Sequence, residues 1–226
     1  MTGLSKMKVV LLSYTRDADE ICAAAGRSCY SEKPADEIIG TGNPEKTLNS
    51  IVGMGHYSVI EHAVFTFSVS GVSRSLTHQL VRHRVASFSQ QSQRYVSLNK
   101  PDYVTPHTIA DDPEISEIYK KAMEDIWDVY SKLSEKVPVE DARYILPNGC
   151  TTNITITMNA RELLHFFALR CCERAQWEIR EMAEEMLRLC KEVSPTIFRD
   201  AGPPCVTGPC PEGEKSCGHP KRVKKH

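Results

Sequence analysis

Two short runs in this sequence alternate apolar and polar side chains, and the helix-spaced stretches around them form no repeating βαβ unit. That arrangement restricts the chain to the α+β class. In the first run, Ala63 to Val69, the side chains of Phe65, Phe67 and Val69 face one way and those of Thr66 and Ser68 the other. In the second, Asn153 to Met158, Ile154, Ile156 and Met158 alternate with Thr155 and Thr157. A β-prone opening run, Lys8 to Tyr14, adds further strand. At 226 residues the chain can fill one substantial core. The expectation is a single domain over residues 1–199, with a central, mostly antiparallel sheet flanked by helices, and a tail over residues 200–226.

Helix signals fill the intervals. One helix is expected from Asp17 to about Cys29. Asn43-Pro44-Glu45 opens another, with Asn as N-cap and Pro in the first turn, and Gly53 and Gly55 close it. Gly71 is expected to end the first alternating strand. Val72, Leu76 and Leu80 then carry a helix into Arg82-His83-Arg84, and residues 85–93 read as a loop. Asp112-Pro113-Glu114 starts an amphipathic helix whose expected buried stripe is Ile115, Ile118, Ala122, Ile126, Val129 and Leu133. Val139 to Leu146 is a short helix stopped by Pro147-Asn148-Gly149. The longest helix is expected from about Asn159 to Val193, opened by an Asn-x-x-Glu capping pattern at Asn159 and Glu162.

Composition excludes some functions. Lys plus Arg is 28 against 29 for Asp plus Glu, which lacks the positive excess of a dedicated nucleic-acid binder. No stretch reaches the roughly 20 apolar residues that cross a bilayer, and the opening residues lack the apolar core of a signal peptide. Six of the nine cysteines, Cys22, Cys29, Cys150, Cys171, Cys172 and Cys190, have no framework spacing. That usage fits a reduced, cytoplasmic protein.

The chemistry is concentrated in two groups of cations. His78, Gln79, Arg82, His83, Arg84 and Arg94 fall within 17 residues, around an acid-free stretch, Ser87-Phe88-Ser89-Gln90-Gln91-Ser92-Gln93. Guanidinium forks suit phosphate, hydroxyls and loop amides add donors, and Gln amides suit a pyrimidine edge. The alternative is a solvated loop beside a helix C-terminus. In the second group, Arg161 and His165 share one helix face and Arg170 and Arg174 another. At about 100° per residue the step from His165 to Arg170 is about 140°. One ligand could not easily reach both faces within a single chain. Either one face is solvated or a neighbouring chain completes the site.

Arg82-His83-Arg84 followed after seven residues by Ser92, and on through Gln93-Arg94-Tyr95, resembles the Arg-His-Arg-x7-Ser signature of the flavin-dependent thymidylate synthases. The resemblance also covers Gly55-His56-Tyr57-Ser58-Val59-Ile60-Glu61-His62, Asn159-Ala160-Arg161 and Ala175-Gln176-Trp177-Glu178-Ile179, and spans roughly residues 8 to 198. It implies a homotetramer with active sites at subunit junctions. It also implies methylation of dUMP to dTMP with 5,10-methylenetetrahydrofolate as carbon donor, FAD as hydride carrier and NADPH as reductant. By resemblance, dUMP contacts Gln79, Leu80, Val81, Arg82, Gln90, Gln91, Ser92, Gln93, Arg94, Arg143 and Arg170, with Arg170 the catalytic residue beside the uracil. FAD contacts His56, Ser58, Arg82, His83, Arg84, Gln90, Asn159, Arg161 and His165. Ser92 is assigned to binding, since no base stands beside it in sequence to activate it. The chain departs from several relatives at Gln90, His165 and Arg174.

The tail holds Cys205, Cys210, Cys217 and His219, four soft ligands in 15 residues that could close around Zn²⁺. Their spacing lacks a C-x2-C knuckle. The expectation is a mobile tail with no metal, ending in a basic run from Lys221 to His226.

Overall fold

The computed structural model describes residues 6–98 and 100–221; Met1–Ser5, Asn99 and the basic end beyond Lys221 lie outside the described residues. The helices and strands follow in the order β1 (Lys8–Tyr14), α1 (Ala18–Ser28), α2 (Ala35–Ile38), α3 (Pro44–Gly53), β2 (Val64–Ser73), α4 (Arg74–Leu80), β3 (Ala86–Gln90), α5 (His107–Ala110), α6 (Pro113–Ser134), α7 (Val139–Ala142), β4 (Thr151–Asn159), α8 (Ala160–Arg170) and α9 (Trp177–Val193). The strands form one four-stranded antiparallel sheet in the order β1-β2-β4-β3, so the α+β class expected from the alternating runs is the one that forms. The chain divides into two compact units. One comprises residues 6–8, 68–82 and 88–155, the other residues 9–67, 83–87 and 156–221. Because β2 and β4 each continue from one unit into the other, neither unit is a separate stretch of sequence.

The second unit is organised around phenylalanine. Phe65, Phe67, Phe166, Phe167 and Phe198 are all fully buried. Phe198 meets Phe65 edge-on at 5.3 Å and Phe167 at 6.0 Å, the offset geometry that aromatic quadrupoles favour. Phe198 is held in place by Asp19 of α1. This carboxylate accepts the Ser194 hydroxyl and the amides of Thr196 at 2.8 Å and Ile197 at 3.4 Å. The stretch after α9 therefore belongs to this core.

The first unit builds a smaller core from α6. Asp112 caps that helix by accepting the amides of Glu114 and Ile115, as its sequence signal implies. Met123, Trp127 and Tyr130 are buried against Ala142 and Cys150. The expected stripe is thus shifted. Ile115, Ile118, Ala122, Val129 and Leu133 are exposed, and only Ile126 is partly covered. Two apolar faces compete on this helix, and the one carrying Trp127 and Tyr130 removes more area from water per residue.

Three other boundaries differ. Gly71 does not end its strand; it adopts φ 70° within β2, which glycine does without strain, and Ser73 then caps α4 by accepting the Leu76 amide. Part of the expected loop, residues 86–90, is β3, because its Ser and Gln side chains hide an alternation of half-buried and exposed positions. The expected long helix is two. A continuous helix would carry the buried stripe of α8 (Ala160, Leu163, Phe166, Phe167) and that of α9 (Ile179, Met182, Ala183, Met186, Cys190) roughly 140° apart. Breaking at residues 171–176 lets both be buried, and the Gln176 side chain restarts the helix by accepting the amides of Glu178 and Ile179.

Phe198→Ala should lower stability by about 3–5 kcal/mol through the cavity it leaves. Glu117→Gln on the exposed face of α6 should change stability by no more than about 0.5 kcal/mol. Urea unfolding of the two variants beside the parent chain reads both.

Candidate functional site

In the first unit the predicted nucleotide residues cluster at the end of α4 and just after β3. Leu80 is buried and closes the apolar side of α4, Gln79 is half-buried, and Val81 and Arg82 are exposed. Gln90 locks the end of β3: its Nε2 donates to Thr77 Oγ1 at 3.1 Å and to Thr152 Oγ1 at 3.3 Å. The amide of Gln91 donates to Asn153 O at 2.8 Å. Ser92 Oγ accepts the Arg94 amide at 3.1 Å, a turn of the kind Ser side chains make, and Gln93 Nε2 donates to Cys150 Sγ at 3.2 Å. The loop is thus pinned through its amides, with its cation left at the surface.

Arg94 meets an acid that its own loop lacks. Its Nε and one terminal nitrogen both donate to Glu140 Oε2 at 2.8 Å, while Arg143 Nε donates to the Glu140 carbonyl oxygen at 3.0 Å. Both guanidinium groups expected to hold phosphate therefore gather at one residue of α7. Arg94 and Glu140 are each about half exposed, so their pairing contributes at most about 1 kcal/mol. A phosphate dianion can replace so weakly held a carboxylate.

In the second unit Arg161 and His165 line a cavity of about 930 Å³, with Leu48, Val52, Leu164 and Ile197 as apolar wall and Asn49, Thr196 and Asp200 as polar wall. Arg161 donates to Glu61 at 2.5 Å. His56 stands before the short 3-10 turn Tyr57–His62 that carries Ser58, and both are exposed, as is Arg84. Asn159 spends its oxygen capping α8, accepting the Glu162 amide at 2.9 Å, as the capping signal implies. A large cleft with apolar walls and an arginine suits an extended, partly planar ligand carrying anionic charge; of the expected flavin residues, Arg161 and His165 line it, and His56, Ser58, Arg84 and Asn159 do not.

His83 and Arg170 come together in the same unit. The His83 ring is buried, its Nδ1 lies 3.0 Å from Glu162 Oε1, and its Nε2 accepts from Arg170 Nε at 3.2 Å. The His165 ring packs edge-on to it at 5.8 Å. The 140° between His165 and Arg170 therefore does not isolate them, because His83 touches both. Burial pushes the His83 imidazole below the usual histidine range, the Glu162 hydrogen bond opposes that shift, and the Arg170 charge adds to it. Arg174 behaves differently. It lies in the break after α8, where it meets the carbonyl of Lys215 and stands 3.4 Å from Glu212, and it does not share a helix face with Arg170.

All nine cysteines are free thiols. Burial pushes Cys22 and Cys171 up to about 12 and also raises Cys150 and Cys190. Cys172, Cys205, Cys210, Cys217 and His219 line one small cavity in the second unit, but no group of three or more His, Cys, Asp or Glu side chains among the described residues is arranged to hold a metal ion. What sequence reasoning missed is the carboxylates. Glu140, Glu61 and Glu162 each face a predicted cation from 46, 100 and 79 positions away, and local pattern carries no signal at such distance. Only Glu162 was visible, as the partner of Asn159 in the cap.

Fold and donor sets define an α+β protein with two arginines gathered at one glutamate in the first unit and a cleft of about 930 Å³ in the second. Residues 10–196 match the family described as Thymidylate synthase complementing protein. A flavin-dependent thymidylate synthase from Geobacter sulfurreducens is 51% identical, covering 97% of both chains, and one from Clostridium tetani is 47% identical, covering 97% of this chain and 96% of its own. The chain belongs to the flavin-dependent thymidylate synthase family. Its fold is also that of a solved structure, a UMP/dUMP methylase PolB from Streptomyces cacaoi bound with 5-Br dUMP. That likeness has a TM-score of 0.79 at 23% identity and covers 86% of this chain and 94% of the other.

Glu140→Gln should release Arg94 and tighten binding of a nucleoside monophosphate by up to about fivefold, the equivalent of a surface ion pair. Calorimetric titration of parent and variant measures it.

Proposed function

We propose that this protein methylates dUMP to dTMP as an FAD-dependent thymidylate synthase, with 5,10-methylenetetrahydrofolate as carbon donor and NADPH as reductant. The observation that carries the reading is the gathering of Arg94 and Arg143 at Glu140, two guanidinium groups at the end of an amide-rich loop. In the proposed complex they exchange Glu140 for the nucleotide phosphate. Gln79, Leu80, Val81, Arg82 and the loop Gln90, Gln91, Ser92 and Gln93 complete the pocket. Gln90, with its amide nitrogen committed to two threonines, offers its oxygen as an acceptor.

Arg170 is the catalytic residue in this reading. A fixed cation beside the uracil favours loss of the N3 proton and the enolate-like charge that builds on the ring. Burial lowers the pKa of Arg170 from its ordinary value, yet an arginine keeps its proton at any physiological pH. Cys22 and Cys171 do not serve as nucleophiles in this reading, since burial pushes their thiols up to about 12 and they stay protonated at neutral pH.

His56, Ser58, Arg82, His83, Arg84, Gln90, Asn159, Arg161 and His165 would hold the dinucleotide. Arg161 would trade Glu61 for its pyrophosphate, and His83, with both ring nitrogens engaged, would contribute through its backbone. When bound, FAD supplies the hydride chemistry, recharged by NADPH. We further infer a homotetramer with shared active sites, since the exposed apolar row Ile115, Ile118, Val129 and Leu133 on α6 calls for a cover. The cytoplasm is the compartment that nine free thiols favour; no described helix is long and apolar enough to cross a membrane.

Tritium release from 5-labelled dUMP should require NADPH and methylenetetrahydrofolate and should rise when FAD is added. A purified protein that binds dUMP but releases no tritium under any of these conditions would overturn the reading. Arg170→Ala should lose about 10²-fold in turnover, with flavin content measured by absorbance falling far less. Equilibrium sedimentation should find four copies, and Ile118→Glu with Val129→Glu should dissociate them.

A further inference from the structure

Three side chains of the second unit form a hydrogen-bonded line, Glu162 to His83 to Arg170. Donor bookkeeping fixes where its protons lie. A carboxylate only accepts and a guanidinium only donates. The imidazole between them must therefore donate from Nδ1 to Glu162 and accept at Nε2 from the Arg170 Nε–H. That is the neutral ring in a single tautomer.

We propose that Glu162 is a positioning residue for the reaction, acting through His83: its carboxylate keeps the His83 proton on Nδ1, and the Nε2 lone pair left on the far side holds the Arg170 guanidinium in working orientation. The inference rests on the reading of Arg170 as the cation beside the uracil, and it adds the device that sets that cation. The anchor is rigid. Asn159 caps the first turn of α8 by accepting the Glu162 amide, Glu162 and His83 are only 8% and 5% exposed, and Phe166 packs edge-on to the His83 ring at 4.9 Å. An unpaired carboxylate at such a position is costly, so the bond to His83 is hard to break. Holding Arg170 Nε from behind fixes the plane of the guanidinium and removes rotamer freedom that binding would otherwise have to freeze.

A pH signature follows. Protonating His83 places a hydrogen on Nε2 against the Arg170 Nε–H and breaks the line. The titratable and charged groups facing His83 are Glu162, His165 and Arg170, all on α8. Burial, the Arg170 charge and the neighbouring His165 lower the His83 pKa, and Glu162 raises it. Turnover should therefore have an acid limb below the ordinary histidine range of about 6.5. Without the Glu162 charge that limb should move to still lower pH, even as turnover falls.

The test uses the full chain loaded with FAD. Glu162→Gln retains the size but can donate as well as accept, so it no longer dictates the tautomer. It should lower kcat for dUMP about tenfold with flavin absorbance and KM little changed, and shift the acid limb downward. In an Arg170→Ala background the same change should cost less than about twofold. Equal losses in both backgrounds, or an unmoved acid limb, would mean that Glu162 only supports the fold, and the proposal falls. A second pair guards against a variant that does not fold. His83→Gln retains one donor and one acceptor, so it should retain severalfold more turnover than His83→Met, and equal turnover overturns the line. If Arg170→Ala itself loses no turnover, the reading of Arg170 fails, independently of whether Glu162 and His83 are coupled.

Discussion

The turn from β4 into α8 at Asn159 is the constraint on which the second unit depends. Strand and helix meet there without a loop. The Asn159 side chain accepts the Glu162 amide, and the Ala160 amide donates to Ala63 O at 2.8 Å, so the first turn of the helix is tied to the residue before β2. Once that register is set, every later residue of α8 has its direction. Phe166 and Phe167 enter the aromatic core, Arg161 and His165 line the large cleft, and Glu162 turns inward to His83. A one-residue slip would rotate each by about 100° and exchange their surroundings.

The second organising feature is electrostatic. The chain is nearly neutral, with a formal charge of −1, although the cations of its proposed site are concentrated. Two of them and one imidazole each meet a carboxylate from a distant element: Arg94 meets Glu140, Arg161 meets Glu61 and His83 meets Glu162. The first two pairs are exposed and weak, so an anionic ligand can displace the acid at little cost. The third is buried and uses the neutral imidazole as a bridge between a carboxylate and a guanidinium, which avoids leaving either charge uncompensated. Exposed pairs thus suit groups that exchange partners, and the buried line suits a group that must stay still.

Much of the frame could be read from local pattern. The alternating runs at Phe65 and Ile154, the caps at Asn43, Asp112 and Asn159, and the α+β class all follow from side-chain period and from which side chains satisfy free helix amides. The two cation clusters and the family signature were likewise written in contiguous residues. Local pattern failed wherever two faces or two periods competed. It chose the aliphatic row of α6 over the face bearing Trp127 and Tyr130, ran α8 into α9, and took β3 for a loop.

What only the tertiary structure decided is pairing. Which apolar face of α6 is buried depends on Ala142 and Cys150 beyond the helix, and which carboxylate answers which arginine, and that His83 links Glu162 to Arg170, are properties of side chains 46 to 100 positions apart along the chain. The amino-acid sequence by itself determines period, caps and the local density of charge, because those depend on neighbours within a turn or a strand. The contacts of a buried polar group depend on where remote segments pack, and that packing is set by the whole core.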